Sequence, residues 1–280
     1  MSLTLISLSG FYPAARHAAH YADMLAQALD ARLVLLHVNR VSVFDPYELV
    51  GEVYRQEELD RQTDTAAALY RQAETLRTPA AIEITTDLLP TVAQDLAARY
   101  GSVLFVLGHP EPGHPTATTL VADCAELLRA GQYPLLLVPA TTFPAGLPHH
   151  FLVAADQEPF QLTPAARPLR RLLTTLGTTV VVAHVSGIED DAGCGAALRA
   201  VQASGLTEGL PVPELRGYEQ TDYATGLLEA IRDTQADMVV LLARQRSYFS
   251  ELFHQSVTAH LLERSPVPLL LLPTQPDKAA

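Results

Sequence analysis

The 280-residue chain has room for one large domain or two ordinary ones of about 150 residues each. Its 48% hydrophobic and 18% charged residues, with 15 Gly and 20 Pro, describe a core-forming protein and exclude disordered, collagen-like and solenoid chains. A formal net charge of −12 removes the positive footprint that non-specific nucleic-acid binding requires, and disfavours anionic membrane surfaces.

The first residues, Met1 to Ser7, lack a basic n-region and read as a strand. Apolar positions 14, 18, 21, 22, 25, 28 and 29 then carry the stripe of an amphipathic helix. Residues 33–38 form a continuous apolar run, as in a strand covered on both faces. A long charged helix is expected over 48–77, a strand near 81–86, a helix over 91–100, a strand at 103–107 and a helix over 119–130. A Pro-initiated apolar strand follows Pro134.

The same order then begins again. Leu5-Ile6-Ser7-Leu8-Ser9 aligns with Leu152-Val153-Ala154-Ala155-Asp156, and Leu35-Leu36-His37-Val38 aligns with Val182-Ala183-His184-Val185 at the same offset. Pro134-Leu135-Leu136-Leu137-Val138-Pro139 aligns with Pro268-Leu269-Leu270-Leu271-Leu272-Pro273 at a smaller offset, so the second copy is shorter in its middle. Its elements are expected as a helix from Leu162 to Leu176, with Thr163 as N-cap and Pro164 at the first helical position, and a strand at 180–185. The glycine-broken stretch 188–205 allows only a short helix. A strand at 213–218, a helix at 224–234, a strand at 238–242, a helix at 256–264 and a last strand after Pro268 complete the copy.

This pattern predicts an α/β protein of two domains, residues 1–140 and 150–275, joined by a linker at 141–149 that carries Pro144, Gly146 and Pro148. Each domain is expected to hold a doubly wound, parallel, five-stranded, Rossmann-like sheet. No apolar run approaches the roughly 20 residues of a membrane span, and two cysteines make neither a disulfide framework nor a Cys-based zinc site. A soluble, cytoplasmic protein is expected.

An α/β repeat of this order, with His-Val closing its second strand, resembles the universal stress protein family. The most specific segment runs from Ser250 through Ser256-Val257-Thr258 to Arg264-Ser265-Pro266-Val267-Pro268, and is similar to the family's phosphate-loop-to-helix element. The resemblance implies an adenine nucleotide alpha hydrolase-like fold. It also implies that the two domains pack as an internal pseudo-dimer through the strands after Pro134 and Pro268. Nucleotide-binding members place an acid after the first strand and a Gly-x-x-Gly-x9-Gly-Ser/Thr loop after the fourth, where glycines let N–H groups approach phosphate.

The first copy departs from that pattern. Ser9 or its neighbour stands where the acid belongs; Gly108 fits the first glycine, but Glu111 takes the second, with Gly113 beyond it and three prolines stiffening the loop. The second copy keeps Asp156 and Ser256, but has Ala243 at the first glycine; Arg244 and Arg246 could meet a phosphate by charge. The candidate nucleotide residues are therefore Asp156, Arg244 and Ser256, set against roles as helix caps and a solvated arginine. The expected function is a non-catalytic stress-response or regulatory protein acting through protein partners, with no cofactor. An ATP-sensing module working through the second domain is the alternative, and a weak ATPase comes third. A higher homo-oligomer is compatible with all three.

Other constellations are weaker. His109, Glu111 and His114 share a proline-rich loop, and His17 and His20 share a helix face, but neither set has the spacing of a metal site, so no metal is expected. No Gly-x-Ser-x-Gly elbow or His-x-Gly-His motif is present. Cys124 falls on an apolar helix face, whereas Cys194 between Gly193 and Gly195 is expected in a loop, as a bystander or redox-sensitive thiol. The aromatic stretch from Tyr248 to Phe253 is expected to fold over its own sheet, with a contact surface as the alternative.

Overall fold

A computed structural model describes residues 2–39, 52–109, 116–140, 146–244, 261 and 264–276. The first half runs β1 (Thr4–Leu8), α1 (Pro13–Leu29), β2 (Arg32–Val38), α2 (Glu52–Glu74), β3 (Ala80–Thr85), α3 (Leu89–Tyr100), β4 (Val103–His109), α4 (Thr116–Gly131) and β5 (Leu135–Pro139). The second runs β6 (His150–Ala154), β7 (Phe160–Leu162), α5 (Arg170–Leu176), β8 (Thr179–Ser186), α6 (Asp191–Ala203), β9 (Glu214–Glu219), α7 (Tyr223–Asp233), β10 (Met238–Arg244) and β11 (Leu269–Pro276).

The expected pair of separate sheets is one continuous sheet, in the order β3-β2-β1-β4-β5-β11-β10-β6-β8-β9, with β7 beside β11. Within each half the main strands are parallel; the halves join where β5 and β11 run antiparallel, with Leu136 opposite Leu270. Two apolar strands that would otherwise be exposed edges satisfy each other's backbone groups, which is why the sheet does not stop between them. Outward from that joint the strand order reads the same in both directions.

Helices cover both faces. On one, Leu89, Val92 and Leu127 of α3 and α4 and Leu227 and Ile231 of α7 belong to one cluster that runs along the sheet. On the other, the alanine-rich side of α1 (Ala18, Ala22, Ala26) packs with Leu172 and Leu173 of α5 and Ala197 and Val201 of α6. Each cluster includes residues from both halves, so neither half closes its core alone. Pro13 starts α1, where its missing N–H is no loss, and Asp30 ends it in the left-handed conformation with its N–H on the Ala26 carbonyl.

Three local expectations are corrected. The helix expected from Leu162 begins only at Arg170, after a 3₁₀ turn at Arg167–Leu169. Phe160–Leu162 instead forms β7 on the outer end of β11, and the Thr163 N–H donates to the Pro273 carbonyl rather than opening a helix. The stretch after β8 holds a 13-residue helix, α6, shorter than the 23-residue α2 as expected, with Gly193 and Gly195 inside it. Asp190 caps it by accepting the Gly193 N–H at 2.8 Å, and Cys194 lies in its first turn, not in a loop. The expected helix at 256–264 lies outside the described residues except for Leu261 and Arg264, as does the Tyr248 to Phe253 stretch.

Candidate functional site

Open parallel sheets bind ligands at the carboxyl ends of their strands, where the strand order reverses. Here those points lie between β1 and β4 and between β6 and β10.

In the first half the reversal holds a cavity of about 150 Å³. Leu8, Leu36, Leu107 and Leu120 line it, with Ser9, Tyr12 and His37 on one wall and Asp123 of α4 on another. The His37 Nδ1–H donates to the Ser9 carbonyl at 2.7 Å, and the His37 ring stacks obliquely on Phe11 with 5.1 Å between centroids. Gly108 is the sixth residue of β4. It lies within β4 beneath α1, where a Cβ would sit 2.1 Å from the Ala14 carbonyl oxygen. Glu111 and Gly113 lie outside the described residues.

The second half is arranged differently. Asp156 and Arg244, each proposed as a nucleotide contact, form an ion pair with one another. Arg244 also donates to the Glu158 carbonyl at 2.9 Å and lies 3.3 Å from the Glu158 carboxylate. Asp156 in turn accepts the Glu158 N–H at 3.0 Å. The arginine side chain is only 16% exposed, so it is not a solvated surface charge. Tyr223, at the start of α7, lies close enough to feel both charges. Burial pushes its phenol up to about 12, Asp156 adds to the rise and Arg244 opposes it. Ser256 and Arg246 lie outside the described residues, so of the proposed nucleotide set only Asp156 and Arg244 are seen together.

The strand registers refine the repeat. Leu36 faces Leu8 in β1, but its repeat partner Ala183 faces Ala154 in β6, which places Gly10, not Ser9, in register with Asp156. At the other end, Val138 faces Gly108 and Leu272 faces Leu242, so Gly108 corresponds to Leu242 and Ala243 to His109. The two positions read as first glycines are not equivalent.

A larger cavity, about 500 Å³, lies at the carboxyl ends of β8 and β9 beside α6, and sequence reading did not find it. Its wall carries Glu189, Asp190, Asp191 and Glu219 around His184 and Cys194. The His184 Nδ1–H donates to the Ala155 carbonyl at 3.1 Å, while its Nε2 lies 3.4 Å from Asp190 Oδ2, which also accepts from Gln157 at 2.7 Å. Burial, then Asp190 and Asp191, raise the Cys194 thiol. A wall of carboxylates repels phosphate and stabilises the neutral thiol, so this cavity offers neither a nucleotide cradle nor an activated nucleophile. The sequence signal for it is Asp190 itself, a residue type favoured at helix N-caps, just before the first residue of α6. Among the described residues no group of three His, Cys, Asp or Glu side chains could hold a metal ion, and no helix is long and apolar enough to cross a membrane.

Fold and cleft positions define a doubly wound α/β protein with a Rossmann-like, mostly parallel sheet. Residues 148–273 match the sequence profile of the Universal stress protein family, and this half of the chain is a universal stress protein domain. No curated protein matches the sequence. Among solved structures, a universal stress protein from Archaeoglobus fulgidus DSM 4304 is similar over 99% of this chain and 97% of its own, with 13% identity and a TM-score of 0.63. A protein described as a putative universal stress protein from Pseudomonas aeruginosa UCBPP-PA14 has 13% identity and a TM-score of 0.52, covering 97% of this chain and 93% of its own. A functionally unknown protein from Pseudomonas aeruginosa PAO1 has 14% identity and a TM-score of 0.50, covering 97% and 92%. At these identities the likeness is one of fold.

Proposed function

We propose that the chain is a tandem universal stress protein, with domains at 1–140 and 150–275 paired as an internal pseudo-dimer through β5 and β11. In this reading it is a non-catalytic cytoplasmic regulator that acts through protein partners and has lost the family's nucleotide loops. The palindromic strand order and the fold neighbours that span the whole chain support the duplication.

One observation carries the functional reading: the Asp156 and Arg244 side chains are committed to each other and to Glu158 at the carboxyl ends of β6 and β10. A nucleotide would have to break this pair, and Glu158 would remain to repel its phosphates. The test is isothermal calorimetry of the full chain with ATP and Mg²⁺. A flat titration is expected. Saturable heat that disappears in Asp156→Ala would instead establish an ATP-sensing second domain, and phosphate release accompanying it would make the protein an ATPase.

A further inference from the structure

The sheet ends at β9, and that end is open. Among the described residues β9 pairs only with β8, so its outer row of backbone N–H and C=O groups meets no strand. Glu214, Arg216, Gly217 and Glu219 of this strand are exposed, which leaves the edge within reach of another chain. Tyr218 turns to the α7 side and joins the cluster of Leu227 and Ile231. Leu215, Gly217 and Glu219 alternate onto the other face, where they line the cavity of about 500 Å³ beside α6. Gly217 forms part of its floor: a Cβ there would sit 2.8 Å from the Cys194 Sγ, and no side chain from that position fills the space.

This trough along the open edge carries charge of one sign. Glu189, Asp191 and Glu219 are exposed and have no cationic partner among the described residues, and no Lys or Arg lines the space. Ile188, 70% exposed, adds an apolar lip. A lysine fits both features, because its aliphatic stem lies on apolar surface while its ammonium stays among carboxylates and water. A second copy of this chain fits poorly: its own β9 edge is net acidic, and each chain carries a formal charge of −12.

We propose that the β9 edge takes up an extended, lysine-rich segment of a partner protein. The segment adds to the sheet as a further strand and lowers alternate side chains into the trough. Backbone pairing supplies affinity, and the carboxylates select the side chains. The proposal deepens the regulatory reading above and rests on its claim that the protein acts through protein partners.

The experiment titrates the full ¹⁵N-labelled chain with a short peptide of alternating valine and lysine. Backbone amides of Glu214 to Glu219 should shift saturably and exchange more slowly with solvent, and Cys194 should label more slowly with iodoacetamide. A lysine peptide of equal charge interrupted by proline cannot complete the ladder and should bind at least tenfold more weakly. A valine–glutamate peptide should not bind. The double variant Glu189→Gln, Glu219→Gln, folded by circular dichroism, should weaken the lysine peptide about fivefold. Glu214→Gln, outside the trough, should leave affinity within about twofold. Absence of saturable shifts up to about 1 mM peptide overturns the site. So do shifts that spare β9, equal binding of the proline or glutamate peptide, or unchanged affinity in the double variant. Displacement of the peptide by an equal concentration of spermidine would assign the trough to a small polycation and overturn strand addition. None of these results alters the ATP titration, so failure at β9 is distinguishable from failure of the regulatory reading.

Discussion

At the residue scale, Gly108 has a packing role. Gly108 lets the first turn of α1 lie directly on β4, and its carbonyl accepts the Tyr12 hydroxyl at 3.3 Å. Because the obstructing atoms are backbone, Gly108→Ala should destabilise the protein by about 3 kcal/mol or more, measured by urea unfolding. A change below about 0.5 kcal/mol would mean that α1 shifts freely. The cysteines differ in access, not in activation. Cys124 is fully buried, and burial followed by Asp123 raises its thiol. Cys194, raised by burial and two aspartates, should react with iodoacetamide at pH 7.5 severalfold more slowly than an unperturbed cysteine. Cys124 should react only after unfolding. Mass spectrometry of the labelled native protein measures both, and a Cys194 that labels faster than a free thiol would contradict the electrostatics. The pairing of Asp156 with Arg244 was not legible beforehand. Both residues could be picked out for charge and position, but their contact spans 88 residues and depends on which strands lie side by side.

At the element scale, α1 is tied to the far edge of its half by one buried carboxylate. Asp23 accepts the Arg77 N–H at 2.9 Å and the Thr78 N–H at 2.8 Å, anchoring the turn into β3. Burial acts to raise the Asp23 pKa, but the bonds from Arg77 and Thr78 outweigh it and hold it below the ordinary value. A lowered folded-state pKa contributes stability above the unfolded value of about 3.9, and that contribution disappears as pH falls through the folded value. Asp23→Asn should therefore cost about 2 kcal/mol at pH 7 and less below pH 4, by urea unfolding at each pH. An equal cost at both would assign its role to shape, not charge. The main strands and helices were legible because burial on both strand faces and the 3.6-residue stripe are written locally. The boundary of α5 was not. Phe160-Gln161-Leu162 is a strand only because Thr274 to Pro276 lies beside it, and no local pattern separates three such residues from a helix start.

At the scale of the whole molecule, the repeated segments pointed to two copies, while the continuity of the sheet depended on backbone pairing that a sequence does not display. Each face of that sheet is packed by side chains from both halves, and Leu136 and Leu270 meet at its middle with no exposure. Unfolding in urea should therefore be one cooperative event. Far-ultraviolet circular dichroism and tyrosine fluorescence, in a chain with 10 Tyr and no Trp, should give coincident midpoints. Two resolved transitions would show that the halves stand independently.

The antiparallel contact of β5 with β11 also sets a polarity. Strands β1, β2 and β4 run with β5, while β6, β8 and β10 run with β11, so the carboxyl ends of the two sets point in opposite directions. The leucine-lined cavity and the Arg244 ion pair consequently lie on opposite rims of the sheet. No single small molecule can touch both, and no partner can approach both from one side. A substitution at one rim therefore acts on a surface that faces away from the other.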